Sequence, residues 1–336
     1  MLSESDFWDG YFGLGTGEEK KISLLLFQGM LLASCKFVAP ETISMLGYDG
    51  IQNAKDSFYR KAKLLYDLGA ETSPVAKAQA ALLLTFNTTG PEFHESTWLA
   101  KAIDNARVAK ADALSKAYEA SRTTVDGDES LRRLWWCCFI RDRFIALASK
   151  QKPSIGPAEF IAQQYVEAGS SLLCAEINRT RVYSHGTRER LVRVVDDTVR
   201  LCVAMTDTLT LAFTSLSPQS SEAACEEQYL KAGQALSKWF AESRSTLPAV
   251  SSSGAFAKEE DPVVLYTNVM LVNYFWTRIV LCQCQLDYIT TSQQKNEDRI
   301  QIAWKRDMEK EMRSSATAIA ACLARLNRLE SPRSRH

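Results

Sequence analysis

Asp196-Asp197-Thr198-Val199-Arg200 comes nearest to catalytic chemistry in this 336-residue chain. Carboxylates spaced along one helical face can hold Mg²⁺ while a diphosphate departs, which is isoprenoid-type chemistry. Arg200 stands where the third carboxylate would have to be, so the pair reads as a solvated helix face and the enzyme as a remote alternative. His94-Glu95 opens a zincin-like pattern, but Trp98 occupies the place of the second histidine. Nine cysteines stand at 35, 137, 138, 174, 202, 225, 282, 284 and 322, without a single Cys-x-x-Cys. A structural zinc needs four ligands in paired spacing, so no metal or other cofactor is expected in this chain. No Gly-x-Gly-x-x-Gly, P-loop or Ser-His-Asp arrangement can be assembled either. The expectation is a protein that is not an enzyme.

A different chemistry is concentrated in Leu131-Arg132-Arg133-Leu134-Trp135-Trp136-Cys137-Cys138-Phe139-Ile140-Arg141-Asp142-Arg143. Charges beside so much apolar surface must be solvated at an edge or paired when buried. On a 3.6-residue period Arg132, Trp136 and Arg143 share one stripe, and Trp135, Cys138 and Asp142 the next. Asp142 can therefore meet a neighbouring guanidinium bidentately. The plain reading is a helix at the centre of an all-helical core. The functional reading is an effector pocket at Trp135, Trp136 and Arg143, where aromatic walls and a cation suit small acids or apolar molecules.

Arg132-Arg133-Leu134-Trp135-Trp136, then Asp142-Arg143, then Pro153 and Ile155 together resemble the middle homology region of fungal zinc-cluster transcription factors. In that family the pattern runs Arg-Arg-x-Trp-Trp, a hydrophobic stretch, Asp-Arg, and Gly-Arg-Pro-x-x-Ile. Phe58 to Ala62, Ala80 to Leu84, Ala102 to Arg107 and the hydrophobic stretch 265–284 resemble its other helices. Departures exist: Lys110-Ala111-Asp112-Ala113 stands near the family's Gly-Leu-His, Gln151-Lys152 replaces Gly-Arg, and Cys282-Gln283-Cys284 replaces His-Arg-Pro. The resemblance implies a nuclear regulator of RNA polymerase II transcription whose six-cysteine DNA-reading cluster would lie upstream of this chain. Its implied partners are other proteins or a second copy, with a possible small-molecule effector. A stand-alone interaction module that titrates full-length relatives is the alternative.

The elements that must position these residues follow from composition and period. Forty basic residues balance forty acidic ones, so nothing electrostatic favours wrapping DNA, and direct DNA binding by this chain alone is not expected. Strand signals are scarce, and helical runs alternate with Pro, Gly, Ser and Asp breaks. About ten helices in a bundle- or solenoid-like all-α packing are predicted. One regulatory domain is expected over 21–328, after an N-terminal segment 1–20 carrying Glu4, Asp6, Asp9, Glu18 and Glu19, and before a basic tail 329–336. Gly69 caps one helix, and Ser73-Pro74 launches the next over 75–86. Further helices are predicted over 98–120, 158–173, 188–213 and 222–244, the last with Leu230, Ala235 and Trp239 inward. A flexible loop is expected over 245–262. The stretch 263–289 is apolar nearly all round, and Trp304, Met308, Met312, Ile319, Leu323 and Leu326 stripe a final helix. The apolar run 22–35 is too short for a membrane span and sits too far from the N-terminus for a secretory signal, so it reads as a core helix.

Overall fold

Serine, proline and glycine mark the helix ends in the computed structural model, which describes residues 4–12, 22–87, 95–112, 126–156, 159, 182–213, 222–244, 261–292 and 299–330. Among these residues every regular element is helical, as the sequence predicts. The α-helices are α1 Glu4–Tyr11, α2 Leu24–Ser34, α3 Pro40–Met45, α4 Ile51–Asp67, α5 Pro74–Leu84 and α6 Glu95–Val108. They continue with α7 Asp126–Ser149, α8 His185–Ala204, α9 Thr206–Phe213, α10 Glu222–Arg244, α11 Asp261–Ser292 and α12 Arg299–Glu330. No helix among the described residues is long and apolar enough to cross a membrane. Packing divides the chain into two compact units; the first holds α1–α6 and α7 up to Ile145, and the second begins at Ala146 and holds α8–α12. The sequence predictions for 158–173, His94, Cys174, nearly all of 245–262 and the last residues of the tail lie outside the described residues.

In the first unit, α2 packs on α4 and α5, and α5 packs on α6. The Ser23 hydroxyl caps α2 by accepting from the Leu26 N–H at 3.3 Å. Gly29 lets α2 approach α5 closely, since a Cβ there would stand 3.4 Å from Leu83 Cβ. The run 22–35 is thus an interior helix, with Leu25, Leu26 and Leu32 buried. Helix α4 ends in a Schellman turn: Gly69 takes φ +66°, its N–H reaches the Tyr66 carbonyl, and the Ala70 N–H reaches Leu65. Ser73 then caps α5, with Pro74 at its first position. Trp98 on α6 donates to the Tyr59 hydroxyl at 3.0 Å, while Asn105 donates to the Tyr66 hydroxyl at 2.9 Å.

One prediction fails in this unit. The helix expected over 98–120 breaks after Val108, where Lys110 adopts φ +60°. This left-handed turn falls where the family resemblance leads one to expect glycine. A lysine there carries a steric cost of about 1–2 kcal/mol.

In the second unit, α11 and α12 form the most extensive helix pair, and α8, α9 and α10 pack against α11. Three sequence readings need correction. The single helix predicted over 188–213 is two, interrupted at Met205, where the Thr206 hydroxyl back-bonds to the Cys202 carbonyl at 2.8 Å. Trp239 is buried as predicted, but Leu230 is 61% exposed and Ala235 only half-buried; α10 turns Tyr229, Ala232, Leu236 and Ser243 inward beside Trp239. On α12, Trp304 and Leu323 lie outside the core, while the small residues Ser315 and Cys322 occupy its buried line. Small side chains let two long helices approach closely, so size outweighs hydrophobicity along that seam.

Candidate functional site

Helix α7 gathers the motif residues, and it buries them. Leu134, Trp135, Trp136 and Phe139 are at most 4% exposed, and Arg132 and Arg133 at most 7%. Asp142 and Arg143 are fully enclosed and form an ion pair with each other, while the Arg143 guanidinium lies 4.3 Å from the Phe139 ring centroid. Trp136 meets Phe139 edge-on at 5.8 Å. Beyond the helix, Pro153 and Ile155 are buried as well. Both stripes read from the sequence therefore face protein, and Asp142 and Arg143 meet burial's demand by pairing inside it.

Arg141 is the residue that sequence reasoning passed over. Its Nε donates to the Thr85 hydroxyl at 2.8 Å and its Nη2 to the Thr85 carbonyl at 2.7 Å. It also pairs with Glu95, and its guanidinium stacks 4.4 Å over Phe86. One side chain thus ties α7 to the end of α5 and the start of α6. Burial lowers its pKa, against the pull of Glu95. Glu95, read as half of a broken zinc motif, is instead this arginine's partner. No local spacing could have announced a pair 46 residues apart.

The Asp196-Asp197 pair also departs from the solvated-face reading. Asp197 is 2% exposed and its carboxylate accepts from Arg200 and from the Ser243 hydroxyl. Its backbone carbonyl accepts from the Trp239 indole at 2.9 Å, joining α8 to α10. Beside it, burial pushes the Asp196 carboxyl up to about 6; Arg200 opposes the rise and Asp197 adds to it. Committed in this way, Asp197 serves architecture. Among the described residues no three His, Cys, Asp or Glu side chains converge as metal ligands would.

Open space lies in the second unit. A cavity of about 470 Å³ opens between α10, α11 and α12, within the size range of small-molecule sites. Leu230 and Trp304, two of the three apolar side chains misread as core, line it. So does Gly233, set in mid-helix, where glycine costs about 0.5–1 kcal/mol against alanine. Arg278 reaches the cavity held by Glu311 at 2.9 Å and by the Tyr274 hydroxyl at 2.9 Å. Burial pushes the Cys282 thiol up to about 11, and the Tyr229 phenol up to about 12. Neither of these two groups ionises near neutrality.

The sequence pattern described as the fungal specific transcription factor domain matches residues 1–245, from α1 through α10. The chain belongs to that family. Relatives include a protein named "Transcription factor" from Fusarium pseudograminearum (strain CS3096), 24% identical over 335 residues, covering 91% of this chain and 36% of the relative. "Transcription factor cpaR" of Aspergillus oryzae is 30% identical over 151 residues, which is 42% of this chain and 23% of that protein. "Cutinase transcription factor 1 beta" of Fusarium vanettenii is 29% identical over 159 residues, 45% of this chain and 17% of that one. The chain spans about a third or less of the length of these curated relatives. No solved structure matches it. Most of the cavity wall, on α11 and α12, lies beyond the residues the family pattern covers.

Proposed function

We propose that this chain is the regulatory, effector-responsive part of a fungal transcription regulator, acting in the nucleus on RNA polymerase II transcription. The observation that carries the reading is the enclosed α7 motif, Trp135, Trp136, Asp142 and Arg143, in a chain of this family. A helix closed this tightly supports the role of a fixed frame that presents other surfaces. Ligand contact at Trp135, Trp136 and Arg143 would require prising apart a packed core, so the cavity beside Leu230 and Trp304 is the better place for a small effector. That effector would have an apolar body and one or two polar groups to meet Arg278 or Asp307. Protein partners or a second copy remain the expected associates. DNA contact by this chain alone finds no support in its balanced charge or its cysteine spacing.

Fused to a heterologous DNA-binding module, the 336-residue chain should change transcription of a reporter in fungal nuclei. A fusion that is inert under every growth condition overturns the reading. The effector site is tested by thermal-shift screening of metabolites, with Gly233→Phe as the variant that fills the cavity. A hit insensitive to Gly233→Phe but lost in Arg143→Ala would move the effector back to α7.

A further inference from the structure

The acidic N-terminal segment has a feature that the regulatory reading leaves unused. Helix α1, Glu4–Tyr11, carries Phe7, Trp8 and Tyr11, and Phe12 follows directly. Trp8 is 44% exposed, Tyr11 56% and Phe12 63%. At spacing i, i+3 and i+4 these three rings share one helical face, the pattern with which an amphipathic helix anchors in a partner's groove. They contact one another: Trp8 stacks on Phe12 at 5.6 Å, and Tyr11 meets Phe12 edge-on at 5.3 Å. Tyr11 also reaches Phe27 on α2 at 6.3 Å. A contiguous aromatic face left in water marks an interaction surface, because soluble proteins rarely tolerate one without use.

Charge decides the occupant. Glu4, Asp6 and Asp9 interleave with the rings, and the first basic residue of the chain is Lys20. An acidic segment with an apolar aromatic face complements a groove with apolar walls and a rim of Lys or Arg. The same charges repel an anionic membrane surface, and they repel the identical segment of a second copy. Acidic residues alternating with hydrophobic ones are also the composition of activation segments.

We propose that residues 4–12 form a transcription-activating segment, which docks by Trp8, Tyr11 and Phe12 into the basic-rimmed apolar groove of a coactivator subunit. The inference rests on the transcriptional reading above and adds to it a sign, activation, and a named surface. Association runs through the exposed rings and is steered by the segment's net negative charge, so it weakens with salt.

The test uses the full chain fused to a heterologous DNA-binding module. The wild-type fusion should raise reporter output, and Trp8→Ala/Phe12→Ala should lower it about tenfold, as removal of anchor rings does. The thermal melt of that variant should stay close to wild type, because Trp8 and Phe12 are exposed and stack mainly on rings of their own segment. In parallel, a purified coactivator domain with a lysine-rimmed groove should bind the wild-type chain. Its affinity should fall about tenfold with the double variant and several-fold with Asp6→Asn/Asp9→Asn. An active fusion unchanged by Trp8→Ala/Phe12→Ala overturns this inference and leaves the regulatory role standing, whereas a wholly inert fusion overturns both. Dimerisation in solution that depends on Trp8 and Phe12 would assign the face to a second copy and overturn the coactivator.

Discussion

Helix α7 and the cavity of the second unit draw on the same side chains: an arginine, a carboxylate, tryptophan and cysteine. None of Arg143, Asp142, Trp135 and Cys138 is more than 2% exposed. Around Arg278, Glu311, Trp304 and Cys282 the ion pair is 26% and 37% exposed and the indole 51%. Residue type alone therefore does not distinguish a frame from a site; access to solvent does. A buried pair must stay whole because an orphaned charge costs several kcal/mol, while a half-exposed pair can exchange partners with water or a ligand.

The largest test of the contrast removes one member of the closed pair. Asp142→Ala removes a buried ion-pair partner of the Arg143 guanidinium and should cost about 3–5 kcal/mol in urea unfolding. Asp142→Leu/Arg143→Met should recover most of that loss; a double variant as unstable as the single one would show that packing, not charge, governs the site. Next, Arg141→Ala removes charged hydrogen bonds to Thr85 and Glu95 and should cost about 1.5–3 kcal/mol, read as a lowered urea midpoint.

Asp196 lies between the extremes. Its carboxyl is near 6 in the folded chain against 3.8 for an ordinary aspartate, so folding favours its protonated form. This contribution to stability is present at low pH and lost as pH rises from about 4 through 6. Asp196→Asn should therefore raise the urea midpoint at pH 7.5, with the gain vanishing near pH 4. An equal gain at both values would assign the effect to something other than titration. The smallest effect belongs to the open pair: Glu311→Gln should change stability by about 1 kcal/mol or less, because water replaces the lost partner.

Helix punctuation was legible because its chemistry is local. Ser73, Pro74 and Gly69 act through bonds spanning a few residues, and each stands where its type predicts. The Trp-Arg motif was legible as buried matter for the same reason: period and composition placed both stripes on a core helix. What escaped was non-local or decided by shape. Arg141 and Glu95 meet across 46 residues, and Asp197 meets Ser243 across the same separation. Leu230 and Trp304 carry the hydrophobicity of core residues, yet the space beside them stays open because Gly233 leaves no side chain to fill it. Periodicity reports which side chains dislike water and says nothing of whether a neighbour arrives to cover them.

The cysteines carry one more consequence. All eight described cysteines are free, and six of them are buried, among them Cys35, Cys138 and Cys322, whose ionisation burial disfavours. The thiolate is the species that attacks peroxide, so the six enclosed thiols should react slowly with it. Mass spectrometry after mild peroxide treatment should find the half-buried Cys137 and Cys284 altered ahead of the enclosed six.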